Sequence, residues 1–318
     1  MIERESQGSQ LDELCRELGV QPMAEFRGAE KLELGAGKVP ATMYLVEGAD
    51  RVRFNLKVGH FNDGEVDKTN WLRGALEGSK LIRVPRIIQQ EPDRFILFEH
   101  IKGLPVSRES FWKRRDLVAS SIDVLKEIDE AINREPLATQ EIEAGRRWVW
   151  QKLSRDWVDP VVKDSELTRG KLFTPEWIEK IQAYAWCHQD RLQDMVRAWR
   201  DPNGDHLIYP MDSFEQRVGV VDIDLQPRPR HYMLMRFLAW SLLKIDDPKV
   251  DLEAWVNQAR RDLGLDGAEF EPTFVLSLTG ILYDLATKER DNKNKREIAI
   301  SVKNIITPIL NGRGEQGS

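Results

Sequence analysis

The chain has 318 residues, of which 41% are hydrophobic and 31% are charged, and its formal net charge is −6. This balance excludes a wholly disordered chain, and the scattered cations give no indication of a nucleic-acid partner. Two cysteines are too few for a disulfide framework, and the longest apolar stretch, Met233 to Leu243, is too short to cross a bilayer. The first residues lack the order of a signal peptide, so we expect a cytoplasmic protein.

The first hundred residues predict a small β-sheet with one helix. Residues 1–27 are polar and contain one short amphipathic helix, so we assign them to an N-terminal extension. A further helix is predicted from Asn62-Asp63-Gly64 to about Gly78. Apolar or alternating runs between turn residues predict strands at Glu30–Leu34, Thr42–Val46, Arg51–Val58, Pro85–Gln89 and Arg94–His100.

The periodicity becomes helical from Arg108 onward. Apolar residues then recur at helical spacing through Leu310, apart from a short β-like interlude. The interlude predicts strands at Met195–Ala198, Leu207–Tyr209 and Val218–Ile223. A small sheet followed by a large helical part is an α+β plan with two lobes. The predicted divisions are the extension at 1–27, a sheet-rich lobe at 28–101, a mainly helical lobe at 102–312 and a tail at 313–318.

Two aspartates follow the last predicted strand. Val220 and Val221 lead directly into Asp222 and Asp224, which are separated by one residue. Period-two geometry places both carboxylates on the same side of an extended chain, where both could face a divalent cation. The alternative is that these acids simply end a strand and enter a loop.

A His-x-Asp segment precedes Asp222 by just over thirty residues, with a predicted hairpin between them. His188 and Asp190 share a face if the chain is extended there. An aspartate at this place could orient or deprotonate a hydroxyl that attacks phosphorus, while a downstream aspartate holds magnesium. Equally, His188 could be a satisfied core histidine and Asp190 a cap of a helix or turn.

A lysine ends the predicted strand Arg51–Val58 just after a glycine-containing turn. Lys57 could there reach the phosphates of a nucleotide that lies beneath the turn. It could also be an ordinary solvated position, like its neighbours on the same face. The run Gly35-Ala36-Gly37 is by itself a weak signal for a phosphate-binding loop.

A run of arginines and tryptophans, Arg146-Arg147-Trp148-Val149-Trp150, lies in the helical part. Such a mixture could contact an anionic, sugar-bearing or lipid substrate. A helix with one apolar face and one solvated basic face is the more common cause of this pattern.

Taken in order, these elements resemble the protein-kinase-like superfamily: glycine turn, strand lysine, helix, two strands, helices, His-x-Asp, hairpin and Asp-x-Asp. The chain is similar to the small-molecule branch, which includes aminoglycoside and choline phosphotransferases and bacterial lipopolysaccharide core kinases. The segment Phe95–Pro105 is similar to the hinge of that branch. The basic-aromatic segment Arg228–Tyr232 and the helix Met235–Leu243 look most like the lipopolysaccharide kinases. The resemblance spans about residues 28–245.

The resemblance implies a bilobal fold and a phosphotransferase that uses ATP and magnesium. Its acceptor would be a hydroxyl of a small molecule or of a lipopolysaccharide-type glycolipid, through which the protein could contact the inner membrane peripherally. The implied site residues are Asp190 as the base with His188 beside it, Lys57, Gly35 and Gly37 at the phosphates, Glu99 and Ile101 as main-chain partners of the adenine, Asp222 as the principal magnesium ligand, and Asp194 and Asp224 as accessory ligands.

Three features depart from the family pattern, of which the simplest is Gln189, where the small-molecule branch often has glycine. The family usually has asparagine five residues after the catalytic aspartate, whereas this chain has Met195, which cannot coordinate magnesium. Asp194, one residue earlier, offers the nearest oxygen. The helix partner of Lys57 is open between Glu65, which lies early in the predicted helix, and Asn70, which occupies the more natural register.

These departures leave a second hypothesis open. A pseudokinase would retain the fold as a binding or scaffold protein without efficient transfer. A protein kinase is disfavoured because residues 225–231 are too few for the activation segment that a peptide substrate requires.

Overall fold

In a computed structural model, the protein divides into two compact units. The first comprises Met1–Gly103 and Pro210–Ile223, and the second comprises Leu104–Tyr209 and Asp224–Ser318. The structure describes residues 11–23, 42–59, 64–105, 114–169, 172–210, 215–245, 249–288 and 292–312. The boundaries assigned from the sequence to the extension, the lobes and the tail stay predictions.

The described part of the chain forms strands and helices that are numbered here in chain order through both units. The strands are β1 Val20–Pro22, β2 Thr42–Gly48, β3 Arg53–Val58, β4 Ile82–Arg83, β5 Ile87–Glu91, β6 Phe95–Glu99, β7 Leu104–Pro105, β8 Met195–Trp199, β9 Leu207–Tyr209, β10 Val218–Val220 and β11 Leu225–Pro229. The helices are α1 Glu65–Ala75, α2 Arg115–Ile132, α3 Thr139–Gln151, α4 Val158–Lys163, α5 Ser165–Thr168, α6 Pro175–Cys187, α7 Gln189–Leu192, α8 Tyr232–Ser241, α9 Leu252–Asp262, α10 Glu271–Thr287 and α11 Lys295–Leu310. Residues 11–18 are also helical, and Lys152–Asp156 continues α3 as a π-helical turn.

The first unit contains an antiparallel sheet of order β1-β2-β3-β6-β5. The strands predicted between residues 42 and 100 are confirmed, with ends shifted by a few residues. The edge strand β1 comes from the segment assigned to the N-terminal extension, which pairs with β2 rather than standing apart. The predicted strand Glu30–Leu34 lies outside the described residues, as do Gly35 and Gly37.

The amphipathic helix predicted in the extension covers one face of this sheet. Leu14 and Cys15 of residues 11–18 pack with Leu56 of β3 and with Phe95 and Leu97 of β6. Burial raises the pKa of the Cys15 thiol, so this cysteine is a packing residue rather than a reactive one. The helix therefore belongs to the hydrophobic core of the first unit.

Strand alternation decides which way Lys57 points. Phe54, Leu56 and Val58 face the core beneath residues 11–18, so Lys57 lies on the opposite face of β3. The helix α1 begins at Glu65, directly after Gly64, whose φ of 69° is a left-handed conformation that glycine adopts without strain. The left-handed backbone of Gly64 sets the direction in which α1 leaves the turn.

The second unit is built around two helices with buried side chains on every side. All ten residues of α8 are buried, and so is nearly all of α10, which packs against it. A helix that is apolar all round is a core helix. The helical periodicity predicted through Leu310 is confirmed, since α8, α9, α10 and α11 follow one another from Tyr232 to that residue. Of the helices in the described part of the chain, none is long and apolar enough to span a membrane.

The first strand of the predicted interlude pairs with a distant segment. The sequence predicts a hairpin between the His-x-Asp segment and Asp222, and Met195–Ala198 is not part of one. Strand β8 forms a two-stranded antiparallel sheet with β11, while β9 pairs with β7. The β8–β11 ladder continues beyond the strands because the Arg200 N–H donates to the Asp224 carbonyl at 2.8 Å. This distant partner satisfies the backbone groups of β8.

Candidate active site

An ion pair joins the strand lysine to the start of α1. Lys57 Nζ lies 2.6 Å from Glu65 Oε1 and 2.8 Å from Oε2. Both side chains are largely buried, at 13% and 4% exposed, so the contact is shielded from solvent screening. Glu65 is therefore the helix partner of Lys57. The register that favoured Asn70 is wrong, because the paired glutamate is the first residue of the helix and Asn70 is exposed.

Asp222 approaches the same lysine. Its Oδ1 lies 3.6 Å from Lys57 Nζ, and its side chain is 48% exposed. The residue follows β10, which runs parallel to β4 through pairing of Val218 with Ile82. Lys57, Glu65 and Asp222 thus form a charged triad within the first unit, with the lysine between the two carboxylates.

The backbone at Asp222 is unusual. Its φ of 55° is left-handed, a conformation that non-glycine residues adopt rarely and aspartate tolerates better than most. Strand alternation ends at this residue, so the inference that Asp222 and Asp224 share a face of an extended chain is wrong. The turn after β10 redirects the chain between the two aspartates.

Asp224 is occupied by protein donors within the second unit. Arg200 Nε lies 3.1 Å from its Oδ2, and Gln226 Nε2 donates to its Oδ1 at 3.0 Å. The residue is buried. A metal ion at Asp224 would have to compete with Arg200 for the same oxygen. The accessory role of Asp224 stays a prediction.

The predicted catalytic segment is helical rather than extended. His188 caps the C-terminal end of α6, and Asp190 lies in the single turn α7. The two side chains therefore do not share a face as they would on a strand, and that inference is wrong. His188 Nδ1 lies 2.9 Å from the Tyr184 carbonyl, and the two rings are in contact with centroids 4.1 Å apart. His188 is oriented by its own helix.

Asp190 is exposed at the surface of the second unit. Its carboxylate makes no hydrogen bond or ion pair with any residue that the structure describes. A carboxylate without a resident partner can accept a proton from a bound hydroxyl. The role of Asp190 as a base stays a prediction that its surroundings permit.

The position of the second metal ligand is also occupied. Arg230 Nε lies 2.6 Å from Asp194 Oδ2 and its Nη2 lies 3.3 Å from Oδ1, a two-pronged pair. The Arg230 N–H also donates to the Asp194 carbonyl at 2.8 Å. Met195, at the position where the family has asparagine, begins β8 and is buried. Asp194 thus holds an arginine, and its accessory role at a metal stays a prediction.

The hinge segment has a well-defined charged end. Glu99 ends β6 and accepts from Arg83 Nη2 at 2.7 Å and from the Arg86 N–H at 3.2 Å. Burial alone would raise the pKa of Glu99, but these donors outweigh it and the pKa lies below its ordinary value. The Glu99 N–H donates to the Arg86 carbonyl at 2.8 Å. Ile101 follows with a buried side chain, and both adenine contacts stay predictions.

The first unit also contains a cavity of about 450 Å³ beside Glu99. It lies along the C-terminal half of α1 and includes Arg73, Arg83 and Arg217 in its lining. Lys57 and Asp222 are not part of it, so it is separate from the charged triad.

Sequence reasoning left the partner of Lys57 open between two residues and missed the partners of Asp194 and Asp224. Glu65 carried a detectable signal, since it is a carboxylate in the helix that follows the strand lysine. Arg230 lies in the basic segment that the resemblance singled out, but nothing in the sequence indicates its target. The contact of Arg200 with Asp224 depends on the pairing of β8 with β11, which no local pattern indicates.

Comparison with known proteins supports the architecture. No protein-family model and no curated protein sequence matches the chain. Its structure is similar to a thermostable mutant of the aminoglycoside phosphotransferase APH(4)-Ia in a ternary complex with ADP and hygromycin B. The TM-score is 0.57 at 11% identity, over 96% of this chain and 99% of that one. The chain has a protein-kinase-like fold. The sheet-rich first unit and the mainly helical second unit agree with the predicted α+β class.

Two further structures can be placed beside it. The ADP-bound aminoglycoside phosphotransferase APH(2'')-Ib gives a TM-score of 0.51 at 12% identity, over 93% of this chain and 98% of that one. Choline kinase from Cryptosporidium parvum gives a TM-score of 0.47 at 12% identity, over 95% of this chain and 97% of that one. At such identities the likeness establishes the fold and leaves the activity to the site residues.

Proposed function

We propose that the chain is an ATP- and magnesium-dependent phosphotransferase that acts on a hydroxyl of a small molecule or of a lipopolysaccharide-type glycolipid. The observation that carries the proposal is the triad of the first unit, in which Glu65 holds Lys57 at 3.6 Å from Asp222. Two structures of similar fold are those of aminoglycoside phosphotransferases with bound ADP.

Lys57 would hold the phosphates of the nucleotide. An ammonium that is largely withdrawn from water and fixed by a carboxylate presents its charge in one direction. In kinase-like sites a strand lysine paired with a helix glutamate is the group that contacts the phosphates. Gly35 and Gly37 would lie over the phosphates, and Glu99 and Ile101 would offer main-chain groups to the adenine.

Asp222 fits a magnesium ion better than the other candidate carboxylates. Among the described residues there is no cluster of three or more histidine, cysteine or acidic side chains that could hold a metal alone. Magnesium at a nucleotide commonly takes one or two carboxylates and completes its shell with phosphate oxygens and water. Asp222 is half exposed, whereas Asp194 and Asp224 are held by arginines. A bound ion would neutralise charge on the phosphates.

Asp190 would act on the acceptor. As the acceptor oxygen forms its bond to the γ-phosphorus and the bond to the leaving ADP oxygen breaks, Asp190 would take the hydroxyl proton and release it to solvent. His188 would support the segment through its bond to the Tyr184 carbonyl rather than by acting on the substrate. A glycolipid acceptor would bring the protein to a membrane surface.

The test is transfer of labelled phosphate from ATP, with magnesium, to a panel of sugars, sugar phosphates, amino alcohols and lipid-core fragments. We expect transfer to one class, and we expect Asp190→Asn to abolish transfer while ATP still stabilises the protein. Stabilisation at a hundredfold excess over the dissociation constant is about 2.7 kcal/mol. The matched control is Asp123→Asn, which removes another exposed aspartate of the same unit. Absence of any nucleotide effect on unfolding would contradict the proposal.

A second candidate is a nucleotide-binding pseudokinase. It is favoured by Met195, which is buried at a ligand position, and by the arginine that Asp194 already holds. Loss of a second metal ligand weakens magnesium binding without abolishing it. Stabilisation by ATP with no transfer to any member of the panel would favour this alternative.

A further inference from the structure

Two tryptophans lie on helices beside the predicted catalytic segment, one exposed and the other half-buried. Trp150 of α3 and Trp186 of α6 lie with ring centroids 5.6 Å apart and ring planes inclined by 55°. Trp186 is 63% exposed, more than any other large hydrophobic side chain in the described part of the chain. Burial of a tryptophan releases more free energy than burial of most side chains, so an exposed tryptophan beside a second one indicates a binding surface.

Core packing accounts for a neighbouring tryptophan but not for this pair. Trp148, two residues before Trp150, packs edge-on against Trp157 and Tyr232, with the Arg228 guanidinium 3.9 Å from its ring centroid. Residues two apart on a helix point to nearly opposite sides. Helix α3 therefore directs Trp148 and Trp150 to different sides, and each of the two side chains is half-buried.

Close packing brings helix α3 to the segment that follows Asp190. A Cβ at Gly145 would lie 2.7 Å from Met195 Sδ and 3.2 Å from the Pro227 carbonyl oxygen, so glycine permits the contact. The next residue, Arg146, directs its Nε to the Gln193 carbonyl at 3.4 Å. Gln193 lies three residues after Asp190, and Trp186 lies four residues before it. The tryptophan pair and Asp190 are thus parts of one neighbourhood in the second unit.

Exposed arginines lie close to the pair in the sequence. Arg146 and Arg147 precede Trp150 by four and three residues, the spacing that places side chains on the same helix face. Arg147 and Arg191 are exposed, and the side chain of neither makes an ion pair or hydrogen bond with a residue that the structure describes. Such a surface repels a cationic acceptor and attracts an anionic one.

We propose that Trp150, Trp186 and Arg147 form an acceptor subsite for an anionic monosaccharide, a sugar that bears a phosphate or carboxylate as well as the hydroxyl to be phosphorylated. The inference rests on the proposed function and narrows its substrate class. The electron-rich faces of the indoles attract the C–H groups of a sugar ring, and the arginine fork matches a phosphate or carboxylate. Amino alcohols and amino sugars are disfavoured by the same arginines.

The test measures sugar binding by calorimetry in the absence of nucleotide. The probes are glucose 6-phosphate, glucuronate, glucose, glucosamine and inorganic phosphate. We expect the two anionic sugars to bind at least about tenfold more tightly than glucose, glucosamine and phosphate, since one charge-assisted contact is worth about that factor. Trp186→Ala and Arg147→Gln should each weaken glucose 6-phosphate about tenfold. The matched controls Ile300→Ala and Arg115→Gln, exposed residues of other helices, should leave binding unchanged.

Several results would overturn the subsite. These are equal binding of glucosamine and glucose 6-phosphate, equal binding of inorganic phosphate, and unchanged binding in the Trp186 and Arg147 variants. Sedimentation with vesicles of anionic lipid, lost in the same variants while sugars do not bind, would show a membrane surface instead. Failure of sugar binding with intact magnesium-ATP binding overturns the subsite alone. Failure of ATP binding overturns the proposed function and leaves the sugar result standing.

Discussion

Lys57 Nζ lies 2.6 Å from Glu65 Oε1, which ties a central strand of the sheet to the first residue of α1. Neither group has much access to water, so the pair has one dominant geometry. A lysine fixed in this way needs no reorganisation to contact a phosphate.

Glu65→Gln should weaken ATP binding. The variant removes the charge that orients Lys57 and leaves an ammonium free to turn toward Asp222. A hydrogen bond between charged groups contributes about 1.5–3 kcal/mol, so we expect the dissociation constant of magnesium-ATP to rise at least about tenfold. Calorimetry measures it. The control is Asp67→Asn, which removes an exposed carboxylate two residues later on α1. Equal effects of the two changes would contradict an orienting role for Glu65.

Asp194→Asn should have little effect on how strongly magnesium enhances ATP binding. Because Asp194 and Arg230 are each about half exposed, their pair contributes at most about 1 kcal/mol to the free energy of unfolding. A double-mutant cycle with Arg230→Gln in chemical denaturation measures that coupling. Magnesium should still strengthen ATP binding in Asp194→Asn. Loss of the magnesium effect in this variant would identify Asp194 as a ligand.

Two glycine-to-alanine changes should have opposite effects on the free energy of unfolding. At Gly145 a Cβ meets Met195 Sδ and the Pro227 backbone, so alanine should destabilise the protein by about 1–3 kcal/mol as an overpacked site does. Gly74 lies in α1 with open space around it, and alanine there should stabilise by about 0.5–1 kcal/mol. Chemical denaturation of both variants measures the difference. Stabilisation by Gly145→Ala would contradict the close packing that positions Arg146.

Asp129 should give the stability a distinct pH dependence. Burial raises the pKa of Asp129 from 3.8 to about 6, although Arg230 opposes the shift. Between these values the folded state keeps a proton that the unfolded state has released, so the contribution of Asp129 to the free energy of unfolding falls as the pH rises toward 6 and levels off above it. Asp129→Asn should remove this fall, whereas Asp123→Asn on the same helix should retain it. Thermal unfolding at pH 4.5 and 7.5 makes the comparison, and parallel profiles for all three proteins would contradict it.

Local patterns were enough to predict the elements of the fold. The alternation of β3 placed Phe54, Leu56 and Val58 on one face, and the structure confirms it. The amphipathic spacing before residue 19 predicted a helix that does pack on the sheet. Both signals come from periodic burial of neighbouring residues, which a single sequence displays directly.

What the sequence could not predict depends on contacts between distant residues or on the conformation of single ones. Strand β8 finds its partner about thirty residues later in β11, and no local pattern distinguishes that pairing from a hairpin. His188 and Asp190 were placed on an extended chain, but α6 continues to Cys187 and a helical turn follows it. The left-handed backbone of Asp222 also escaped prediction, since its residue type only permits that conformation.

The central claim is that Asp222 binds magnesium beside a nucleotide held by Lys57. The decisive measurement is the ATP dissociation constant with and without magnesium, by calorimetry, for the wild type, Asp222→Asn and Asp93→Asn. Asp93 is a matched control because it is also an aspartate of the first unit in a left-handed conformation, with φ of 57°. We expect magnesium to strengthen ATP binding about tenfold or more in the wild type and in Asp93→Asn, and to have no effect in Asp222→Asn. An unchanged magnesium effect in Asp222→Asn would contradict the account.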